Sequence, residues 1–174
     1  MQDIYERARG VRIAIFDVDG VLTNGALHLS ASGEETKTFD VRDGHGLKML
    51  KASGVPAAII TSRNSRAVEL RAQGLAIEFV FQGVADKLAA LDGLLRQLKL
   101  DAAAAAYMGD DVLDVPVMRR CGLAFTVPEA PLAVRHAAHY VTRAAGGRGA
   151  AREVCELLMH AQGSLAAQLA SCRR

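Results

Sequence analysis

What most constrains this chain is a rhythm. Short apolar runs recur at residues 11–16, 55–60, 77–81, 104–108, 123–127 and 140–141. Segments of helical period lie between and after them, at about 45–53, 64–73, 87–98, 112–121, 130–137 and 149–170. Near-continuous apolar strands alternating with helices imply parallel strands joined by crossovers, with both sheet faces covered. The expected fold is therefore α/β, a Rossmann-like parallel sheet with helices on both faces. A length of 174 residues suits a single domain over 1–174, with little room for a second. One interval breaks the rhythm: ALHLSASGEETKTF, at about 26–39, has strand-like ends around a polar, Gly-containing middle and reads as an inserted β-hairpin. A hairpin needs something to pack on, so this one is expected to serve as a flap or an assembly surface. The C-terminal helix and tail occupy about 149–174, and no large cap domain fits.

Charge and cysteine content exclude several classes. The net charge is +2 and the basic residues are dispersed, which argues against a nucleic-acid partner. Cys121, Cys155 and Cys172 are odd in number and lack CxxC spacing, so neither a disulfide framework nor a zinc site is indicated. MQDIYERARG lacks the apolar stretch of a signal peptide, and no segment has the apolar length of a membrane span. A cytoplasmic protein with no membrane partner is expected.

Ligands of open parallel sheets bind beyond the carboxyl ends of the strands, so the residues after each apolar run are the ones to inspect. The first run ends in DVDG, the second in TSRN, the third leads to Asp86 and Lys87, and the fourth ends in GDDVLD. Asp17 and Asp19, with Asp110, Asp111 and Asp114, form a crowd of carboxylates that repel one another unless a cation joins them. A hard divalent ion, Mg²⁺ above all, suits an all-oxygen set, and no His or Cys accompanies it to suggest zinc. By itself GDDVLD reads equally well as a helix N-terminus capped by Asp, Thr61 as an ordinary cap, and Lys87 as a solvated lysine. Their convergence with DVDG favours chemistry. Nucleophilic carboxylate, second carboxylate, hydroxyl, lysine and metal aspartates are the parts of phosphoryl transfer through an aspartyl-phosphate.

DVDGVLTNG, IITSRN, the lysine of DKL and GDDVLD, in that order over residues 15 to 114, resemble the four motifs of the haloacid dehalogenase superfamily of phosphohydrolases. The resemblance implies a HAD-like fold in which Asp17 is nucleophile and metal ligand. Asp19 would be the acid and base, with its backbone carbonyl on the metal, and Asp110 the remaining protein ligand. It further implies that Thr61 and Lys87 hold the phosphoryl group, and that Asp111 and Asp114 orient the site. Within that superfamily, GEETKTFDVRDGHGLKML, the arginine of TSRN and YVTRAAGGRGAAREVCELLMHAQG are similar to the 3-deoxy-D-manno-octulosonate 8-phosphate phosphatases. That similarity implies an Mg²⁺-dependent hydrolase of a sugar acid phosphate in lipopolysaccharide synthesis. It also implies a homotetramer whose hairpins form a central barrel and whose neighbouring subunits cap each site. Asp40, Val41, Arg42, Asp43, Gly44, Lys48, Arg63 and Arg71 would line the sugar pocket with Asp19 and Lys87, and Arg148 would reach an adjacent site.

Ser62, His45 and Lys48 depart from the usual glycine, tyrosine and arginine, and these positions bear on substrate preference. His28, His136, His139 and His160 have no partners at metal spacing. Alternatives are a phosphatase for a nine-carbon sugar acid 9-phosphate and a non-catalytic relative, against which the full motif set argues. A signalling receiver domain carries similar parts in a different order along the chain.

Overall fold

The computed structural model describes residues 2–171; Met1 and residues 172–174, with Cys172 among them, lie outside the described residues. In chain order the elements are α1 (Gln2–Arg9), β1 (Ile13–Phe16), β2 (His28–Leu29), β3 (Glu35–Thr36), α2 (Val41–Ala52), β4 (Ala57–Ile60), α3 (Arg66–Gly74) and β5 (Phe79–Phe81). Then follow α4 (Lys87–Leu98), β6 (Ala105–Met108), α5 (Val115–Arg120), β7 (Leu123–Thr126), α6 (Leu132–Ala137), β8 (Tyr140–Val141), α7 (Ala150–Ala161) and α8 (Leu165–Ser171).

The six apolar runs become the six strands of one sheet, ordered β5-β4-β1-β6-β7-β8 and parallel throughout. Every residue of β1, β4, β6 and β7 is buried, as strands covered on both faces require. The chain moves from β1 through β4 to β5, then returns to the other side of β1 for β6, β7 and β8. Right-handed crossovers therefore place α2 and α3 on one face and α4, α5 and α6 on the other. Helices α1 and α7 join the first group, where α7 packs on both α1 and α2. The reversal puts β1 between strands that lead in opposite directions, which opens a crevice at its carboxyl end.

Local chemistry explains where the element boundaries depart from the periodicity. Helix α2 starts at Val41, not near 45, because Asp40 caps it by accepting the Arg42 N–H at 2.7 Å. The segment at 112–121 opens with a 3₁₀ turn, Val112–Asp114, fixed by a reciprocal cap between Asp111 and Asp114 before α5 begins. The last helical stretch divides into α7 and α8 at Gly163, whose φ of +73° ends the first helix. Helix α1 went unread in the sequence. It buries Ile4 and Ala8, one turn apart, and pairs Asp3 with Arg7 at 3.0 Å.

The expected hairpin is present, as β2 and β3 paired antiparallel outside the main sheet. Among the described residues no domain-sized insertion interrupts the sheet order. Cys121 and Cys155 are free and buried.

Candidate active site

Asp17 follows directly on β1, and its N–H continues the ladder to the Met108 carbonyl at 2.9 Å. The backbone aims its carboxylate into the crevice, and its side chain is only 9% exposed. Its Oδ1 accepts the Val18 N–H at 2.7 Å, and its Oδ2 lies 2.8 Å from Lys87 Nζ. Burial, followed by the charge of Asp114, raises the Asp17 pKa, and Lys87 opposes that rise.

Lys87 opens α4, which Asp86 caps by accepting the Ala89 N–H at 3.0 Å. A buried ammonium at a helix N-terminus is unfavourable alone. Here burial disfavours the charged form, but Asp17 and Asp114 outweigh it and hold the Lys87 pKa above its ordinary value.

Asp114 is the hub. Its Oδ1 accepts from Lys87 Nζ at 2.7 Å and Tyr107 Oη at 2.6 Å, and its Oδ2 accepts the N–H groups of Asp110 and Asp111 at 3.0 and 3.1 Å. All its lone-pair positions are thereby used. Asp110 is the reverse case: its Oδ1 is buried without a hydrogen-bond partner. Burial, then the charges of Asp17 and Asp114, push its pKa up to about 7. One oxygen from each of Asp17, Asp110 and Asp114 falls within 4.8 Å of the others. Because Asp114 is saturated, Asp17 and Asp110 are the pair with capacity for a cation, and their hard oxygens suit Mg²⁺.

Gly20 makes this arrangement possible. Its φ is +86°, and any Cβ there would run into the Asp110 carboxylate. The Gly-rich segment after β8 is equally close, since Gly147, with φ +63°, donates its N–H to the Val21 carbonyl at 2.8 Å. The segment is thus packed on the DVDGVLTNG loop.

Asp17, Asp19, Thr61, Ser62, Arg63, Lys87, Asp110 and Asp111 line one cleft of about 280 Å³. Gly25, Asp110 and Asp111 also border a second cleft, of about 480 Å³, which Arg148 and Glu129 line. The four polar strand ends do converge. Thr61 is buried after β4, and Asp111 accepts the Val112 N–H at 2.7 Å.

The residues expected around the sugar are distributed differently. Asp43 turns away from the clefts: its carboxylate, 2% exposed, accepts the N–H groups of Gly149 and Arg152 at 3.2 and 2.8 Å and so caps α7. Burial raises its pKa, against those two bonds. Arg71 donates to the Asp40 carbonyl at 3.0 Å and lies over the Phe39 ring, close against Gly44. Arg42 pairs with the Asp40 carboxylate at 2.6 Å and donates to the Arg148 carbonyl at 2.9 Å. Val41 and Lys48 are exposed on α2 and line neither cleft.

Two features went unread in the sequence. Tyr107 is a fully buried phenol within the apolar run of β6, and its hydroxyl was the available signal. Glu35 and Lys37, two apart and so on one side of a strand, fold back onto the DVDG loop, where Lys37 pairs with Asp19 and Arg63 with Glu35 at 2.7 Å.

A family profile of haloacid dehalogenase-like hydrolases matches residues 71–153. The chain is 45% identical to the 3-deoxy-D-manno-octulosonate 8-phosphate phosphatase KdsC of Yersinia pestis, over 94% of this chain and 87% of that one. This chain belongs to the haloacid dehalogenase-like hydrolases. Among solved structures of such hydrolases, a probable YrbI family phosphatase of Pseudomonas syringae pv. phaseolica superposes with a TM-score of 0.98 at 50% identity, covering 100% of this chain and 99% of that one. A 3-deoxy-D-manno-octulosonate 8-phosphate phosphatase of Moraxella catarrhalis, in complex with magnesium, phosphate and KDO, superposes with a TM-score of 0.96 at 42% identity, covering 98% of each chain.

Proposed function

We propose that this chain hydrolyses 3-deoxy-D-manno-octulosonate 8-phosphate to the free sugar acid and phosphate, through an aspartyl-phosphate and with Mg²⁺. The observation that carries the reading is the buried Asp17 carboxylate, balanced by Lys87 on one oxygen and set beside an Asp110 oxygen that has no partner. The family of the chain and the named activity of its relatives supply the substrate.

In this reading an Asp17 oxygen forms a bond to phosphorus as the bond to the sugar oxygen breaks, and Asp19 gives that leaving oxygen its proton. Asp19 then takes a proton from water, which attacks the same phosphorus and frees phosphate and the Asp17 carboxylate. Lys87 favours the ionised form of Asp17 against its burial and balances charge on the phosphoryl oxygens, which Thr61 also holds. Asp17, Asp110 and the Asp19 backbone carbonyl would hold Mg²⁺, with Asp111 and Asp114 as orienting groups. When bound, the ion neutralises charge on the transferring phosphoryl group. Asp40, Arg42, Arg63, Lys48, Arg71 and Arg148 are the proposed sugar-side contacts, Val41 and Gly44 offering backbone. Asp43 contributes by fixing the α7 start next to them.

A single domain with a hairpin insertion leaves the clefts open, and the hairpin exposes Leu27 and Leu29 at 48% and 63%. We take these leucines as part of an assembly surface of a homotetramer, in which a neighbour covers the site. No described helix is long and apolar enough to cross a membrane, and the proposed place of work is the cytoplasm, in lipopolysaccharide precursor synthesis.

The test is phosphate release from the eight-carbon substrate with Mg²⁺, run beside a nine-carbon sugar acid 9-phosphate and an EDTA control. Metal-dependent preference for the eight-carbon compound is expected; turnover of the nine-carbon compound alone would overturn the substrate, and activity unaffected by EDTA the metal. Sedimentation equilibrium at four times the chain mass is expected for the assembly, and a monomer would overturn it.

A further inference from the structure

The hairpin reaches the catalytic loop through charge. Lys37, just past β3, has a side chain only 1% exposed, with its Nζ bonded to Asp19 Oδ1 and 3.5 Å from Glu35 Oε1. Glu35 Oε2 accepts from Arg63 Nη2 at 2.7 Å, and Arg63 Nε lies 3.8 Å from Asp19 Oδ2. Two cations and two anions thus close a ring that joins the loop after β1, the hairpin and the loop after β4. A buried ammonium held between two carboxylates has little freedom to move, and its loss would leave Asp19 Oδ1 without its hydrogen bond while Glu35 kept Arg63. Asp19 Oδ2 is buried without a hydrogen-bond partner and has only the looser approach of Arg63, so Lys37 is the one hydrogen bond that the ring gives the Asp19 carboxylate.

We propose that Lys37 is the positioning residue of Asp19: by holding Oδ1 it fixes the orientation of the carboxylate for proton transfer to the leaving oxygen, with Glu35 and Arg63 keeping Lys37 in place. The hairpin therefore sets the geometry of proton transfer as well as presenting a surface. This deepens the proposed function, because it rests on Asp19 as the group that protonates the leaving oxygen while the bond from Asp17 to phosphorus forms.

A series of substituted phenyl phosphates separates positioning from other roles, since its members differ in leaving-group basicity and hardly in shape. A poor leaving group needs the proton of Asp19, whereas p-nitrophenolate departs without it. In the full chain, Lys37→Met is expected to lower kcat/KM for phenyl phosphate about tenfold further than for p-nitrophenyl phosphate, in the direction of the Asp19→Asn reference. Glu35→Gln, which removes one anchor of Lys37 but keeps the ammonium, is expected to shift the same ratio less, and it serves if Lys37→Met does not fold. An equal loss across the series, or no loss, overturns the proposal. So does a loss confined to the sugar acid phosphate, which would make Lys37 a substrate contact. A wild-type chain that turns over the phenyl series but not 3-deoxy-D-manno-octulosonate 8-phosphate would remove the substrate assignment and leave the role of Lys37 standing.

Discussion

At the scale of single residues, the site works by unequal satisfaction of like groups. Asp114 has every lone pair taken, Asp17 keeps capacity beside Lys87, and Asp110 keeps a buried oxygen free. Asp17→Asn keeps the side-chain size and removes the proposed nucleophile, so phosphate release is expected to fall by at least about a thousandfold with the circular dichroism spectrum unchanged. Tyr107→Phe removes a buried hydrogen bond to a carboxylate. Its expected cost is about 1.5–3 kcal/mol, read from the urea midpoint. The convergence of the motif aspartates and Lys87 on one cleft was legible because parallel strands deliver their carboxyl ends to one edge. Tyr107 was not, because one phenol in an apolar run is ordinary core composition.

At the scale of elements, short polar devices decide where helices begin and what they touch. Helix α7 starts at Ala150 behind Gly149, a cap position with no side chain to act, and Asp43 of α2 supplies the missing acceptor across the interface. Asp43→Ala leaves those N–H groups unpaired and is expected to cost about 1–3 kcal/mol, with Asp43→Asn recovering part of it, as measured by urea unfolding. The sequence could not reveal this, since donor and acceptor lie over 100 positions apart. Shorter separations, 18 positions from Lys37 to Asp19 and 28 from Arg63 to Glu35, also hid the ring through Lys37, because it joins segments that only the folded sheet brings together.

At the scale of the whole molecule, folding gathers carboxylates into one crevice and stores their repulsion there. The folded Asp110 pKa is about 7, against an ordinary 3.8, because of burial and the neighbouring Asp17 and Asp114 charges. Between those values the folded chain holds a proton that the unfolded chain has released, so the stability of the metal-free protein falls as pH rises through that window and levels off above it. Thermal midpoints in EDTA are expected to show this fall. Asp110→Asn should shrink it, and saturating Mg²⁺ should offset it by binding the folded state.

The alternation of apolar runs and helical segments pointed to the parallel sheet by itself, because strands buried on both faces read as short, near-continuous apolar runs between crossover helices. The four polar strand ends, in their order, determined the chemistry, since parallel strands must deliver their carboxyl ends to one edge. Only the tertiary structure decided what each polar group spends its hydrogen bonds on. It turned Asp43 into a cap, saturated Asp114, left Asp110 free and drew Lys37 onto Asp19. The physical reason is that local pattern fixes which way a side chain leaves the backbone, whereas its partners come from distant segments whose approach the packed core alone defines.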